Sequence, residues 1–201
     1  MQIFKFGGAS VKDAQGVKNL AHVLKTVGYS NTLIVVSAMG KTTNAMETVI
    51  SNYFEAKHEL QSSLQDVKKF HNNILLDLFE NEQHSVFETV DQLFQNIVQF
   101  FDHNKSPNYN FVYDQVIGFG ELISTTIISN YLNMIGVTNS WLDVRDLIKT
   151  DDYYRNAKIN WTQTQTLISA QVDAKKLNIT QKTYFVFLFL IDDIIFKASS
   201  S

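Results

Sequence analysis

Gln2-Ile3-Phe4-Lys5-Phe6-Gly7-Gly8-Ala9-Ser10-Val11 is the stretch that decides the fold of this chain. Its first five residues are mostly bulky and apolar, which predicts a short strand with apolar cover on both faces. The two glycines predict a sharp turn at which backbone N–H groups approach a ligand closely. Ser10 is suited to cap the helix that we expect to follow. A strand, a glycine turn and a helix N-terminus together favour a bound phosphate.

Lys5 is the unusual residue of this stretch. A lysine in a buried strand is unfavourable unless an anion accompanies it. One interpretation is that Lys5 points past the end of the strand at a phosphoryl group. The other is an ordinary surface lysine that precedes a Gly-Gly turn, and the stretch by itself favours this second interpretation. Segments further along the chain change that balance.

The composition indicates one globular domain, or one domain with a remnant of another. The chain has 201 residues, of which 45% are hydrophobic, and its formal net charge is −3. It has no cysteine, which excludes disulfides and thiolate metal ligands and agrees with a reducing compartment. There is no basic cluster, no signal-peptide pattern and no apolar run of the ~20 residues that a membrane span needs. We therefore expect a cytoplasmic protein whose main partner is neither nucleic acid nor a membrane.

The next residues complete a strand–helix–strand unit. Residues 11–27 carry an apolar stripe of helical spacing, Gly28 stands where a helix ends, and residues 33–36 form a second, β-branched strand. Two strands joined by one helix are expected to be parallel neighbours.

A polar loop, residues 37–44, follows the second strand. Ligands of open α/β sheets bind at the carboxyl ends of the strands, and Ser37 and Thr43 offer hydroxyls to a small polar substrate, while Lys41 offers a charge. The alternative is a plain connection in which Thr43 or Asn44 only caps the next helix. Taken alone, the loop favours that alternative.

Residues 45–104 consist mainly of helix formers, with apolar residues at helical spacing and no glycine or proline. A break near residues 81–83 predicts a helical hairpin inserted between elements of the sheet, and we place the insert at about residues 45–108. Four histidines lie in it. Because they show neither i, i+4 pairing nor a carboxylate pattern typical of a metal site, we expect them on the surface and assign no metal site to His58, His71, His84 and His103.

The last third of the chain predicts further sheet elements. Residues 109–135 form a helix that is broken near Gly118 and is buried beyond it, with Glu121 at the start of the second part. A carboxylate is favourable near a helix N-terminus, and it also suits a substrate ammonium; the residue alone leaves both interpretations open. A third strand is expected at residues 138–142, a helix at 161–177 and a fourth strand from 184, with an Asp143–Arg145 salt bridge at the rim.

Four segments in this order resemble aspartate kinase, a member of the amino-acid kinase superfamily. The resemblance implies an α/β fold, a three-layer αβα sandwich with a mainly parallel sheet, of which residues 1–186 form the N-terminal part. It also raises the weight of the functional interpretations of Lys5, Ser37, Thr43 and Glu121. The four segments are Lys5-Phe6-Gly7-Gly8-Ala9-Ser10-Val11, the stretch from Val35 to Asn44, Gly120-Glu121-Leu122-Ile123-Ser124, and the stretch from Asp143 to Asp152.

The resemblance implies an ATP-dependent phosphotransferase. The γ-phosphoryl of MgATP would pass to the β-carboxylate of L-aspartate in the first step toward lysine, threonine and methionine, and the full-length family implies a homodimer. Ala9 stands where threonine is commoner in the family. By the family pattern Lys5 is the catalytic residue, the nucleotide phosphates meet Lys5, Gly7, Gly8 and Ser10, and aspartate is held by Ser37, Thr43 and Glu121.

The resemblance ends after Val186. The tail, residues 187–201, is an apolar run with a short polar end, and we interpret it as the product of a frameshift or truncation. Because the later half of the site would then be missing, we expect little or no kinase activity from this polypeptide alone. Residues 185–196 are also β-prone and low in charge, which predicts aggregation.

Two alternatives remain for the function. The first is another amino-acid kinase, such as a glutamate, acetylglutamate or carbamate kinase, although residues 37–44 and 143–152 resemble aspartate kinase specifically. The second is a non-catalytic fragment that folds and only binds aspartate or a partner.

Overall fold

A parallel sheet is the centre of the fold in the computed structural model, which describes residues 2–155, 157–172 and 183–187. Within these residues the sheet has four strands in the order β1-β2-β4-β3, and every neighbouring pair is parallel. This agrees with the α/β class expected from the sequence. The strands are β1 (Gln2–Phe6), β2 (Thr32–Val36), β3 (Asn139–Leu142) and β4 (Thr183–Phe187).

Helices account for most of the described chain, and no helix among the described residues is long and apolar enough to cross a membrane. A short 3-10 turn, Gly8–Val11, precedes the first of them. The helices are α1 (Ala14–Val27), α2 (Thr42–Glu55), α3 (Lys57–Leu78), α4 (Ser85–His103), α5 (Tyr109–Val116), α6 (Phe119–Met134), α7 (Val144–Leu147) and α8 (Trp161–Val172).

The predicted strand–helix–strand unit is confirmed as β1, α1 and β2. β1 and β2 are parallel neighbours with Lys5 opposite Val35. α1 ends at Gly28, whose φ of 84° favours glycine and whose N–H donates to the carbonyl of Leu24. The helix start differs from the prediction, because Asp13 and not Ser10 is the cap: the Asp13 carboxylate accepts from the N–H of Gly16 at 2.8 Å.

The prediction that β1 is covered on both faces is wrong. β1 is an edge strand of the described sheet, and Ile3 is 56% exposed. Phe4 and Phe6 are partly buried against the main core. The prediction holds for β2, because Ile34 belongs to the main core while Leu33, on the opposite face, packs against a separate cluster.

The break predicted near residues 81–83 is observed between Leu78 and Ser85, so the predicted helical hairpin corresponds to α3 and α4. The same region also contains α2, which an unpredicted break at Ala56 separates from α3. One expectation within it is wrong: His71 is not on the surface but fully buried. Its position explains this, because His71 is one turn after Val67 and one turn before Leu75, on the apolar stripe of α3. The other three histidines are exposed or half-buried.

The later expectations are met where the structure describes them. The helix over residues 109–135 is broken into α5 and α6, and Asp143 caps α7 while its carboxylate pairs with the guanidinium of Arg145. β4 lies between β2 and β3. The predicted helix over 161–177 is observed to Val172; the interpretations of the tail from residue 188 onward lie outside the described residues.

Two neighbouring leucines of α3 test whether the hairpin belongs to the core. Leu75 is fully buried, whereas Leu76 is 47% exposed. Leu75→Ala should lower the free energy of unfolding by about 2–5 kcal/mol because it leaves a cavity. Leu76→Ala should change it by less than about 0.5 kcal/mol. Urea unfolding measures both; equally small losses would mean that α3 does not pack on the core.

Candidate functional site

The loops that follow β1 and β2 lie against each other at the carboxyl edge of the sheet. The N–H of Ser37 donates to the carbonyl of Phe6 at 3.1 Å, and the N–H of Gly40 donates to the carbonyl of Gly8 at 3.0 Å. The backbone hydrogen bonds that join β1 to β2 therefore continue beyond the strands. They hold residues 7–11 and residues 37–42 next to each other.

Gly8 is required for this close approach. A Cβ on Gly8 would lie 2.7 Å from the carbonyl oxygen of Ala38, which is too close without a shift of the backbone, and 3.0 Å from the carbonyl oxygen of Gly40. A Cβ on Gly7 would meet nothing within 4 Å. The two glycines thus differ: Gly8 lets the loops touch, and the side of Gly7 on which a Cβ would stand is open.

The first turn of α6 packs on the same loop. A Cβ on Gly120 would lie 3.1 Å from the Cγ2 methyl of Thr42 and 3.3 Å from the Cβ of Ala38. One turn later, the hydroxyl of Ser124 donates to the carbonyl of Ser37 at 2.8 Å. These contacts bring Glu121 to the loop that follows β2.

Glu121 is the buried charge of this region. It is 1% exposed, and burial raises the pKa of its carboxyl to about 7, while backbone N–H groups of Glu121 itself and of Ala38 partly oppose that rise. Its Oε1 is a buried oxygen without a hydrogen-bond partner among the described residues. A carboxylate in this state suits a cationic partner, which would stabilise its charged form.

The other residues singled out in the sequence lie on the same two loops or on the strand that leads into them. Ser37 and Thr43 are half-buried, at the end of β2 and in the first turn of α2. Ser10 is exposed in the 3-10 turn. Lys5 is exposed on β1, where strand alternation places it on the same face as Ile3. The structure thus joins Gly8, Ser37 and Glu121 by contacts through Ala38, and it places Lys5 at this edge through its strand.

Sequence reasoning missed two residues beside the site, Thr42 and His71. The hydroxyl of Thr42 lies 2.6 Å from the carbonyl oxygen of Met39 and 3.3 Å from the Nε2 of His71. The signal that identifies His71 is its place on the apolar stripe of α3. A groove of about 340 Å³ runs between α2 and α3; it includes Thr42 but neither Glu121 nor Ser37.

Alanine at Gly8 and alanine at Gly7 test whether the loop after β1 needs glycine for close packing. Gly8→Ala should lower the free energy of unfolding by about 1–3 kcal/mol, because its methyl group has backbone carbonyls as neighbours and these have little room to move. Gly7 has a φ of −74°, which alanine adopts readily, so Gly7→Ala should stay within about 0.5 kcal/mol. Thermal unfolding measures both; an equal loss in the two variants would contradict the packing role of Gly8.

The buried Glu121 carboxyl should make stability depend on pH. Its pKa is raised from 4.5 to about 7, so between these values the folded state binds more protons than the unfolded state. Stability from this group therefore falls as the pH rises through that window, by about 3 kcal/mol at most. Burial lowers the pKa of His71 from 6.5 to about 4, and its effect is opposite: stability is lost as the pH falls through that window.

Glu121→Gln should remove the first of these effects and leave the second. The urea midpoint of the variant, measured from about pH 4 to 8, should then decrease as the pH is lowered, because only the His71 contribution remains. In the unchanged protein the contributions of Glu121 and His71 nearly offset each other at the pH values where both groups titrate. Glu88→Gln, at an exposed position of α4, is the control and should leave the profile unchanged. A variant profile identical to that of the unchanged protein would mean that Glu121 titrates normally.

This chain is similar in sequence to aspartokinases. Chloroplastic aspartokinase 1 of Arabidopsis thaliana is 33% identical over 161 residues, which are 75% of this chain and 27% of that protein. Bifunctional aspartokinase/homoserine dehydrogenase 2 of Escherichia coli is 24% identical over 151 residues, which are 75% of this chain and 18% of that protein. The chain thus spans well under a third of the length of either relative.

Solved structures give the same fold. Aspartokinase III of E. coli, in complex with aspartate and ADP, superposes with a TM-score of 0.79 at 21% identity, over 93% of this chain and 40% of that one. The aspartate kinase of Clostridium acetobutylicum superposes with a TM-score of 0.68 at 16% identity, over 94% and 38%. The model of the amino acid kinase family matches residues 1–186, and the chain therefore belongs to the amino acid kinase family.

Proposed function

We propose that this chain carries the aspartate-binding side and the catalytic lysine of an aspartate kinase, which transfers the γ-phosphoryl of MgATP to the β-carboxylate of L-aspartate. The proposal includes the three-layer αβα sandwich of the resemblance. The observation that carries it is the buried Oε1 of Glu121, which has no hydrogen-bond partner among the described residues and lies beside a loop that offers hydroxyls. E. coli aspartokinase III, which has this fold, was solved with aspartate and ADP.

On the aspartate side, Glu121 would accept the substrate ammonium. An ammonium near the unpaired oxygen would offset the desolvation that raises the carboxyl pKa to about 7. Ser37 and Thr43, both half-buried at the same loop, would donate hydroxyl hydrogen bonds to the substrate carboxylates. The site would therefore select an amino acid over a diacid that lacks the ammonium.

On the nucleotide side, Lys5 would neutralise charge on the transferring phosphoryl group. Gly7 and Gly8 would present backbone N–H groups to phosphate oxygens, with Ser10 in the same loop. The nucleophile is already a carboxylate, so no strong base is needed and catalysis consists of positioning and charge neutralisation.

Magnesium fits this arrangement as a companion of the nucleotide. Among the described residues no group of three His, Asp or Glu side chains could hold a metal ion. Mg²⁺ is commonly bound by one or two carboxylates together with substrate phosphates. The phosphates of ATP would then supply most of the ligands, and the metal would neutralise their charge.

We further propose that these 201 residues alone turn over poorly. The phosphate loop and the Glu121 region are present, but the resemblance ends at Val186, before the segments that it assigns to the rest of the nucleotide site. Cytoplasmic localisation and the homodimer of the full-length family likewise remain predictions from the sequence.

Titration of the Glu121 carboxyl by carbon NMR tests the proposed function directly. With L-aspartate, whose dissociation constant we expect to be on the order of 1 mM, the pKa of Glu121 should fall from about 7 toward its usual range, because an ammonium stabilises the carboxylate. Succinate, which has both carboxylates but no ammonium, should leave that pKa unchanged. The exposed Glu88 in the same spectra is the internal control.

The outcomes separate the alternatives. An equal shift with L-glutamate would favour another amino-acid kinase, and a shift with aspartate but no binding of ATP would favour a non-catalytic binding fragment. No response of Glu121 to any amino acid would overturn the proposed aspartate site. Release of ADP by the 201-residue chain at the rate of a full-length relative would contradict the expected low activity.

A further inference from the structure

We propose that His71 is a positioning residue for the candidate aspartate site: in its neutral form, with the proton on Nδ1, it fixes the side chain of Thr42, and Thr42 fixes the loop against which Glu121 is buried. His71 touches no reacting group. It lies on the helical hairpin, and its effect on the site would pass through one hydroxyl group. The expected effect of His71 on aspartate binding rests on the proposed function, whereas its coupling to Glu121 does not.

The tautomer of His71 follows from its partners. Nδ1 lies 2.8 Å from the carbonyl oxygen of Val67, and a carbonyl only accepts, so Nδ1 carries the proton. The ring is fully buried, with the Phe70 ring at 5.0 Å edge-on and the Phe94 ring at 6.0 Å. Burial lowers the pKa of His71 to about 4, so the ring is neutral and Nε2 is an acceptor.

Thr42 has one hydroxyl proton and two acceptors for it. The carbonyl oxygen of Met39 lies 2.6 Å from its Oγ1, and Nε2 of His71 lies 3.3 Å away. The shorter distance gives Met39 the larger share of the proton. Rotation about χ1 would break both contacts, so the two acceptors, which share one proton, favour a single rotamer of Thr42.

That rotamer also sets the contact with α6. The Cγ2 methyl of Thr42 lies 3.1 Å from the point where a Cβ on Gly120 would stand. Because threonine is branched at Cβ, rotation that releases the hydroxyl also moves this methyl group. His71 therefore acts on the residue that precedes Glu121, and through the loop on Ala38, whose N–H lies at the Glu121 carboxylate.

Three substitutions distinguish the role of the Thr42 hydroxyl from that of the Thr42 methyl group. A fourth controls for a general loss of stability. His71→Phe keeps an aromatic ring and removes both nitrogens, Thr42→Val keeps two branches on Cβ and removes the hydroxyl, and Thr42→Ser keeps the hydroxyl and removes the methyl. Ile74→Ala, which creates a cavity on the buried stripe of α3, is the control of comparable destabilisation. Thr42→Val keeps the proposal testable if His71→Phe does not fold.

The measurement is nitrogen NMR of the His71 ring together with carbon NMR of the Glu121 carboxyl. We expect the Nδ1–H tautomer in the unchanged chain. In His71→Phe and in Thr42→Val the pKa of Glu121 should fall by about one unit, because a loosened loop admits water to the carboxylate. The double variant should show no larger shift than either single one, as for residues that act as a unit. Ile74→Ala should leave the Glu121 pKa unchanged.

Aspartate affinity supplies the second readout. His71→Phe and Thr42→Val should weaken aspartate binding about tenfold. An Nε2–H tautomer, additive shifts in the double variant, or a Glu121 pKa that does not respond would overturn the positioning role. If the pKa shifts occur and the unchanged chain binds no aspartate, the proposed function fails while the coupling between His71 and Glu121 stands.

Discussion

A carboxylate buried without a full set of hydrogen bonds is the constraint on which the candidate site depends. Glu121 is 1% exposed, and it lies in the first turn of α6, whose next turns are buried almost all round. An isolated charge in such a place is strongly unfavourable, so the group must gain a proton or a cationic partner. A pKa near 7 means that neither form is strongly preferred in neutral solution, which leaves the choice to whatever binds beside it.

The geometry around that carboxylate depends on side chains that are small or absent. Gly8 and Gly120 both lie where a Cβ would meet the loop after β2, at Ala38 or Thr42. Backbones that approach this closely exclude water from the space between them. The burial of Glu121 therefore depends on the packing of α6 against the loop after β2, which local sequence patterns describe poorly.

Local patterns in the sequence predict local elements well, but they do not predict contacts between distant parts of the chain. The β1–α1–β2 unit follows from local periodicity. The exposure of Ile3 does not, because it depends on whether another strand lies beyond β1. Ser10 and Asp13 are both good helix caps, and only the observed path of the chain selects Asp13. The position of His71 on the apolar stripe of α3 indicates burial, whereas the lack of a metal-ligand pattern among the histidines carries no information about burial.

Two buried titratable groups contact the residues that follow β2: Glu121 meets the N–H of Ala38, and His71 meets the hydroxyl of Thr42. Burial moves their pKa values in opposite directions, up for Glu121 and down for His71, because in each case it favours the uncharged form. Their contributions to stability therefore have opposite slopes with pH and offset each other where the two windows overlap. A cation bound at Glu121 would remove only one of the two contributions. The loop would then gain stability above neutral pH, where an unpaired Glu121 carboxylate is most unfavourable.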